Sequence, residues 1–148
     1  MSHTTPLAAQ PTTQNYGATV LRVSLGGLFL AHFGLKLFVF TPAGTAMFFG
    51  KLGLPPELAY VTMAAELVGG LALIFGIFAR AAALALIPLI LGTIVTVHGA
   101  NGFFFNNPNG GWEYPAFWSV ALLVQALIGD GALAVAPTHL LARILRNA

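Results

Sequence analysis

Few residues of this sequence could do chemistry, because charged side chains make up only 7% of the chain. Several ionisable or polar side chains nevertheless lie inside or next to long apolar stretches, namely His32, Lys36, Glu66, His98, Glu113 and Tyr114. An imidazole and a carboxylate can exchange protons, and a lysine can stabilise negative charge, as quinone or transport chemistry would require. We therefore take His32, Glu66 and His98 as candidate catalytic residues.

The elements that must position these residues are membrane-spanning helices. The sequence is 57% hydrophobic, and its mean hydropathy is +0.85. About 20 apolar residues span a bilayer, and backbone in lipid must satisfy its own hydrogen bonds by forming helices. The sequence predicts four such helices, at about 17–40, 56–78, 80–99 and 114–136. A soluble bundle would need helices with a polar face, and none is visible in the sequence.

The predicted fold is therefore an all-α integral membrane four-helix bundle. The uncharged polar segment 1–16 predicts a disordered tail, and 137–148 predicts a short amphipathic helix on the inner leaflet. A further short interfacial helix is predicted over Thr45–Leu54. With four spans, one side of the membrane holds most of the basic residues, namely Arg22, Arg80, Arg143 and Arg146. The positive-inside rule then predicts that both termini are cytoplasmic.

The depths of the polar residues in these spans predict one shared pocket. At 1.5 Å per residue, His32 lies about 12 Å and Glu66 about 14 Å inside the outer ends of their helices. Lys36 shares a helix face with His32, because the two are four residues apart. The outer ends of the last two spans carry His98, Glu113 and Tyr114. We expect a pocket that opens outward, with a structural ion pair between Lys36 or His32 and Glu66 as the alternative interpretation.

A second ionic contact is predicted near the opposite end of the spans. Arg22 and Asp130 lie at similar depth there. An unpaired charge in lipid costs at least a few kcal/mol, so the two are expected to pair and to join the first and fourth helices.

Several classes of function are disfavoured by the composition. The chain has no cysteine, which rules out its own disulfides, thiol relays, iron–sulfur ligands and cysteine-based zinc sites. Its net charge is only +2 and no basic cluster occurs, so nucleic acid is not an expected partner. No ligand spacing supports a metal site. Haem is disfavoured because His32 and His98 differ in predicted depth by about 10 Å at the helical rise.

The motifs resemble those of the DoxX family of small bacterial membrane proteins over about Val20–Val135. The first span contributes Arg22, Gly26, Gly34 and Lys36. The second contributes GLPPELAY (Gly53–Tyr60), AAELVGGLALIFG (Ala64–Gly76) and then Arg80. The last part is His98 with NGFF (Asn101–Phe104) and GGWEYP (Gly110–Pro115). Where family members have Gly-x-Gly followed by Ser-Leu-Asp, this chain has Gly129-Asp130-Gly131 followed by ALAVAP.

This resemblance implies a four-helix membrane bundle in a bacterial inner membrane, and it suggests quinone as the cofactor. Relatives include a subunit associated with a terminal quinol oxidase and the membrane subunit of thiosulfate:quinone oxidoreductase. The family positions carried over to this chain are Arg22, Lys36, Glu66, Arg80, His98, Asn101, Glu113 and Tyr114. The expected ligand-binding set is accordingly His32, Lys36, Glu66, His98, Asn101, Glu113 and Tyr114.

Three functions are compatible with these observations. The leading hypothesis is a quinone-handling or redox-associated subunit whose electrons come from a partner enzyme or a bound cofactor, since the chain has no cysteine. The second is a structural membrane protein whose polar pairs hold the helices together, with no catalytic activity of its own. The third is a small-solute permease, which would form homo-oligomers because four short helices make a thin wall. In each case the lipid bilayer is the surrounding partner.

Overall fold

The computed structural model describes residues 10–147, and this part of the chain is helical without strands. Its helices are α1 (Thr13–Gly34), α2 (Pro42–Lys51), α3 (Leu58–Phe75), α4 (Ala79–Thr93), α5 (Glu113–Ile128) and α6 (Thr138–Asn147). The first nine residues of the predicted tail lie outside the described range, and its last four already belong to α1. That helix begins early because the Thr12 hydroxyl accepts the Asn15 N–H at 3.4 Å and caps the first turn.

Four of the helices form the bundle that the sequence predicts. Helix α1 contacts α3, α3 contacts α4, α4 contacts α5, and α5 closes the ring against α1. The core consists of small and large apolar side chains, including Leu25, Phe29, Leu73, Leu86 and Leu122. The outer surface is also apolar, and Phe38 and Val95 are 78% and 84% exposed. Apolar residues on both faces of the helices indicate lipid as the surrounding medium.

Three helical segments are long and apolar enough to cross a membrane, namely Thr13–Val39, Leu58–Phe75 and Ala79–Asn101. The first and third of these segments are longer than α1 and α4 themselves. Helix α1 continues into a π-helical turn at Leu35–Val39, and α4 continues into one at Ile94–His98. Both turns lie at the same end of the bundle, since α1 and α4 run in the same direction. Helix α5 is equally apolar but has only 16 residues.

The fourth predicted span is shorter than expected, because α5 ends at Ile128 and not at 136. Gly129 and Gly131 have φ of 104° and 75°, which favour glycine and end the helix. The following residues cross the end of the bundle beside the α3–α4 turn. Here the Val135 and Ala136 N–H groups donate to the Phe75 and Gly76 carbonyls at 3.0 and 3.1 Å. The N–H groups of Val135 and Ala136 thus find hydrogen-bond acceptors although these residues are not in a helix.

The two ends of the bundle differ in character. We call the end that holds Arg22, Arg80 and α6 the arginine end. The other end, which holds Trp112, Tyr114 and the loop 102–112, is the aromatic end. Helix α2 also lies at the aromatic end, packed on α3, and begins three residues before the predicted interfacial helix. Its N-terminus is set by Thr41, whose hydroxyl accepts the Gly44 N–H at 3.2 Å.

The contact between α1 and α3 depends on two glycines that let the backbones approach closely. A Cβ atom added to Gly26 would lie 2.7 Å from the Gly70 carbonyl oxygen and 2.7 Å from the Ile74 Cγ1. A distance of 2.7 Å is shorter than a non-bonded contact to a carbon atom allows. The backbones of α1 and α3 can therefore approach this closely only if residue 26 is glycine.

We expect Gly26→Ala to lower the free energy of unfolding by about 2 kcal/mol, because the added methyl group overpacks the α1–α3 contact. The measurement is an unfolding titration with SDS in mixed micelles. Gly27→Ala is the matched control, since no heavy atom lies within 4 Å of a Cβ atom built there. Equal stabilities of the two variants would contradict this packing role.

Candidate functional site

The most deeply buried charge pair joins Lys36 to Glu66. Lys36 Nζ donates to Glu66 Oε1 at 2.6 Å, and the two side chains are 17% and 4% exposed. Lys36 lies in the π-helical turn after α1, a local geometry that is frequent at functional sites. Glu66 lies on the buried face of α3, one turn from both Met63 and Gly70. The second carboxylate oxygen, Oε2, is buried without a hydrogen-bond partner among the described residues.

A row of aromatic side chains lies next to this pair. The His32 ring lies one helical turn before Lys36 and meets the Trp118 ring edge-on, with centroids 5.1 Å apart. Phe29 and Tyr114 contact the same indole ring, at centroid distances of 4.7 and 5.6 Å. Trp118 is 5% exposed, and its Nε1–H has no partner among the described residues. The row therefore runs from Tyr114 at the end of the bundle to His32 inside it.

Trp118 is a site residue that the sequence analysis missed. It follows Tyr114 by four residues, and this spacing places both side chains on one face of α5. This spacing could have indicated that Trp118 belongs to the same site as Tyr114. It was not sufficient, because aromatic residues at helical intervals also occur in ordinary hydrophobic cores. The contact with His32 distinguishes this face from the rest of the core.

A cavity of about 480 Å³ opens beside Tyr114 at the aromatic end. Its lining residues are Phe103, Phe105, Glu113, Tyr114 and Phe117. Phe103 is supported from behind by Trp112, whose ring centroid lies 4.8 Å away. The cavity is open rather than enclosed, since Phe105 and Phe117 are 67% and 71% exposed, and its lining is apolar with few polar groups. Glu113 and Tyr114, both expected as ligand-binding residues, supply these polar groups.

His98 and Asn101 lie at the same end, where they hold the loop 102–112. His98 Nδ1 lies 2.9 Å from the Gly110 carbonyl oxygen. Since a carbonyl only accepts, Nδ1 carries the hydrogen in this contact and Nε2 is left as an acceptor. Asn101 Nδ2 donates to the carbonyls of Val97 and Gly110 at 3.0 and 3.1 Å. In the structure these two side chains bind backbone, and they position the Phe103 and Phe105 walls of the cavity.

Arg22 and Asp130, which were expected to pair, have separate hydrogen-bond partners in the structure and make no direct salt bridge. The Arg22 guanidinium is 1% exposed, and its Nη1 donates to the Leu73 and Ile74 carbonyls at 2.9 Å each. Its Nη2 donates to the Ala132 carbonyl at 3.3 Å. Leu73 and Ile74 belong to the last turn of α3, so the positive charge of Arg22 lies at the negative end of the helix dipole.

Asp130 is bound elsewhere. Its Oδ2 and Oδ1 accept the Thr138 N–H at 2.9 Å and the Thr138 hydroxyl at 2.5 Å, at the first turn of α6. Similar depth in the membrane was therefore insufficient to identify partners, because backbone groups at the helix ends compete for both side chains.

Metal and haem ligation find no support in this geometry. Within residues 10–147, no three or more His, Cys, Asp or Glu side chains are grouped so that they could hold a metal ion. The two histidines considered for haem have separate surroundings, His32 against the Trp118 ring and His98 against the Gly110 carbonyl.

The helices are long and apolar, and the outer surface of the bundle is apolar as well. These features define the class of the protein as an α-helical membrane protein. The chain belongs to the DoxX family, whose model matches residues 17–99, and this confirms the resemblance stated above. It is similar to a Bacillus subtilis (strain 168) protein named "Putative oxidoreductase CatD". The two are 35% identical over 121 residues, which cover 82% of this chain and 85% of the relative. No solved structure matches the chain significantly.

We expect Glu66→Leu to lower the free energy of unfolding by about 3 kcal/mol, because it leaves the Lys36 ammonium unpaired inside the bundle. The double variant Lys36→Met/Glu66→Leu should recover most of that loss, since it removes both charges. Unfolding titrations with SDS measure both effects.

Glu57→Leu serves as the control for loss of a glutamate, because Glu57 is exposed and lies at the start of α3. It should change stability little. Additive losses in the Lys36/Glu66 double variant would show that the two side chains do not act as a pair.

Proposed function

We propose that this protein is a redox-associated membrane subunit that binds a quinone headgroup in the aromatic-end cavity. The observation that carries the proposal is the cavity of about 480 Å³, with three phenylalanines and two polar side chains in its wall. Stacked aromatic rings suit a flat conjugated ring, and a small number of polar groups suits its two carbonyl oxygens. The oxidoreductase name of the Bacillus subtilis relative supports redox chemistry.

The lining residues have distinct roles in this proposal. Quinone oxygens accept hydrogen bonds, so the Tyr114 hydroxyl is the donor. The Glu113 carboxylate accepts the O–H of the reduced quinol. Phe103, Phe105 and Phe117 hold the ring and exclude water. A partner enzyme supplies the two electrons that reduce the quinone, and two protons accompany them; the chain has no cysteine with which to do so itself.

The interior polar residues extend this site toward the middle of the bundle. His32 is an interior group that can exchange a proton, and its contact with the Trp118 ring, which cannot relay one, positions the indole against Tyr114. Lys36, one turn nearer the aromatic end than His32, pairs with Glu66 and holds α1 and α3 together. His98 acts through the loop 102–112 as a positioning residue for the cavity wall.

A structural role without catalysis is the second candidate. Lys36, Glu66, His98 and Asn101 all find partners inside the protein, as a bundle held together by polar contacts would require. This candidate predicts the stability losses described above and no specific quinone binding.

We also propose that both termini are cytoplasmic and that the protein resides in the inner membrane of a bacterium. Arg22 and Arg80 lie at the arginine end, and α6 adds Arg143 and Arg146 there. The aromatic end has Lys51, with Lys36 nearby. The positive-inside rule supports this orientation.

Quinone binding can be followed through the protein's own tryptophans. Trp112 contacts the cavity wall at Phe103 and Trp118 contacts Tyr114, so a bound quinone should quench their fluorescence saturably. We expect Tyr114→Phe to weaken binding of the quinone, and Glu113→Gln to weaken binding of the quinol, each by about fivefold, the value of one hydrogen bond. The measurement is a titration of the protein in nanodiscs with a short-chain quinone and, separately, with its reduced form.

The matched controls are Tyr60→Phe and Glu57→Gln. Both residues are exposed near the start of α3, at the same end of the bundle but outside the cavity lining. They should bind quinone as the unmodified protein does. Quenching that rises linearly without saturation, or that is equal in all four variants, would overturn the quinone proposal and favour the structural role.

A further inference from the structure

Helix α6 has an apolar face whose C-terminal half is left uncovered by the rest of the described chain. The face consists of Leu140, Leu141, Ile144 and Leu145, which recur at helical spacing. Ile144 and Leu145 are 57% and 69% exposed. The opposite face carries His139, Arg143 and Arg146 and no acidic residue. Such a division into an apolar and a basic face is typical of helices that lie in the plane of a membrane surface.

The position of α6 is fixed by its first residue. Asp130 accepts both the N–H and the hydroxyl of Thr138, which places a negative charge at the N-terminus of the helix. The Thr138 hydroxyl in turn accepts the Arg80 N–H at 3.4 Å, at the first turn of α4. Helix α6 is therefore held directly beside the arginine end, where the apolar outer surface of the bundle stops.

The positive charge at this end exceeds the negative charge that the protein places there. The acidic residues of the whole chain are Glu57, Glu66, Glu113 and Asp130. Within residues 10–147 the ion pair is that of Lys36 with Glu66, so Arg80, Arg143 and Arg146 have no carboxylate partner. Arg80 also lines a cavity of about 600 Å³, together with Gly129, Asp130 and Gly131. Both oxygens of Asp130 are already engaged by Thr138.

We propose that α6 and Arg80 form a binding surface for anionic lipid headgroups. The apolar face of α6 enters the leaflet next to the arginine end, while Arg143 and Arg146 contact headgroup phosphates from its polar face. Arg80 takes a phosphate at the mouth of the 600 Å³ cavity. A lipid leaflet suits this surface because the apolar exterior of α1, α3 and α4 leads directly to it, and because Arg80, Arg143 and Arg146 outnumber the one nearby carboxylate, Asp130. The surface lies at the opposite end from the quinone cavity and goes beyond that proposed function.

The absence of cysteine allows a direct test on the full chain. Single cysteines are introduced as Ile144→Cys on the apolar face and His139→Cys on the polar face. Their reaction rates with a water-soluble maleimide are compared in nanodiscs that each hold one copy, which excludes self-association. One set contains phosphatidylcholine alone, and the other also contains phosphatidylglycerol.

In nanodiscs with phosphatidylglycerol, we expect Ile144→Cys to react about tenfold more slowly than His139→Cys, because its side chain lies below the headgroups. Each further replacement, Arg143→Gln or Arg146→Gln, should speed the Ile144→Cys reaction by up to about fivefold. Arg143→Lys and Arg146→Lys keep the charge and should leave the rate slow. High salt should also speed the Ile144→Cys reaction, because it screens the attraction between the arginines and the anionic headgroups.

Two results would overturn the proposal. Equal rates at the two cysteines in phosphatidylglycerol nanodiscs would mean that the apolar face of α6 does not enter lipid. Slow labelling of Ile144→Cys that is unchanged by lipid charge, by salt and by the glutamine variants would mean that anionic headgroups are not the ligand. Neither result bears on quinone quenching at the aromatic end, so the two proposals fail separately.

Discussion

Polar groups inside a lipid-embedded bundle must find partners within the protein, because hydrocarbon offers none. This constraint explains the three polar contacts on which the fold depends. At the arginine end, Arg22 donates to carbonyls of the last turn of α3 and of the segment that follows α5. In the interior, Lys36 and Glu66 neutralise each other across α1 and α3. At the aromatic end, His98 and Asn101 satisfy loop carbonyls.

The two ends use this chemistry in different ways. At the arginine end, Arg22 binds backbone carbonyls and α6 is anchored across the end, while Arg80 lines an open cavity of about 600 Å³. The aromatic end leaves a cavity, because its loop is held by hydrogen bonds at its base while the rings of Phe103 and Phe105 stand apart from Phe117. The two cavities differ in their linings, since the one at the aromatic end is mainly aromatic and the one at the arginine end is lined by Arg80, Asp130 and glycines.

The sequence predicts the bundle well because the relevant signal is local. Long apolar stretches locate α1, α3 and α4. Equal depth pointed to His32 as the neighbour of Glu66, but Glu66 binds Lys36, one turn further along the first span. Where the prediction fails, backbone partners compete with side-chain partners. Arg22 and Asp130 match in depth, yet the open carbonyls of α3 and the first N–H groups of α6 bind them instead. His98 is a further example, because its side chain binds the Gly110 carbonyl and does not line the predicted pocket.

The end of the fourth span illustrates a related limit. Apolar composition continues through ALAVAP, so hydropathy alone extends the helix to residue 136. Gly129 and Gly131 adopt positive φ, and the chain turns to pair with the α3–α4 turn. The contact of His32 with Trp118 was equally inaccessible, because it depends on how α1 and α5 are rotated against each other.

The partners of Arg22 also impose an order on the folding of the chain. Its acceptors lie 51, 52 and 110 residues further along the sequence. An unpaired arginine at the centre of a transmembrane helix costs about 3 kcal/mol on insertion scales. The first span therefore reaches its lowest free energy only after α3 and the segment that follows α5 have packed against it. The turn at Ala132 thus completes a helix that lies 110 residues earlier in the chain.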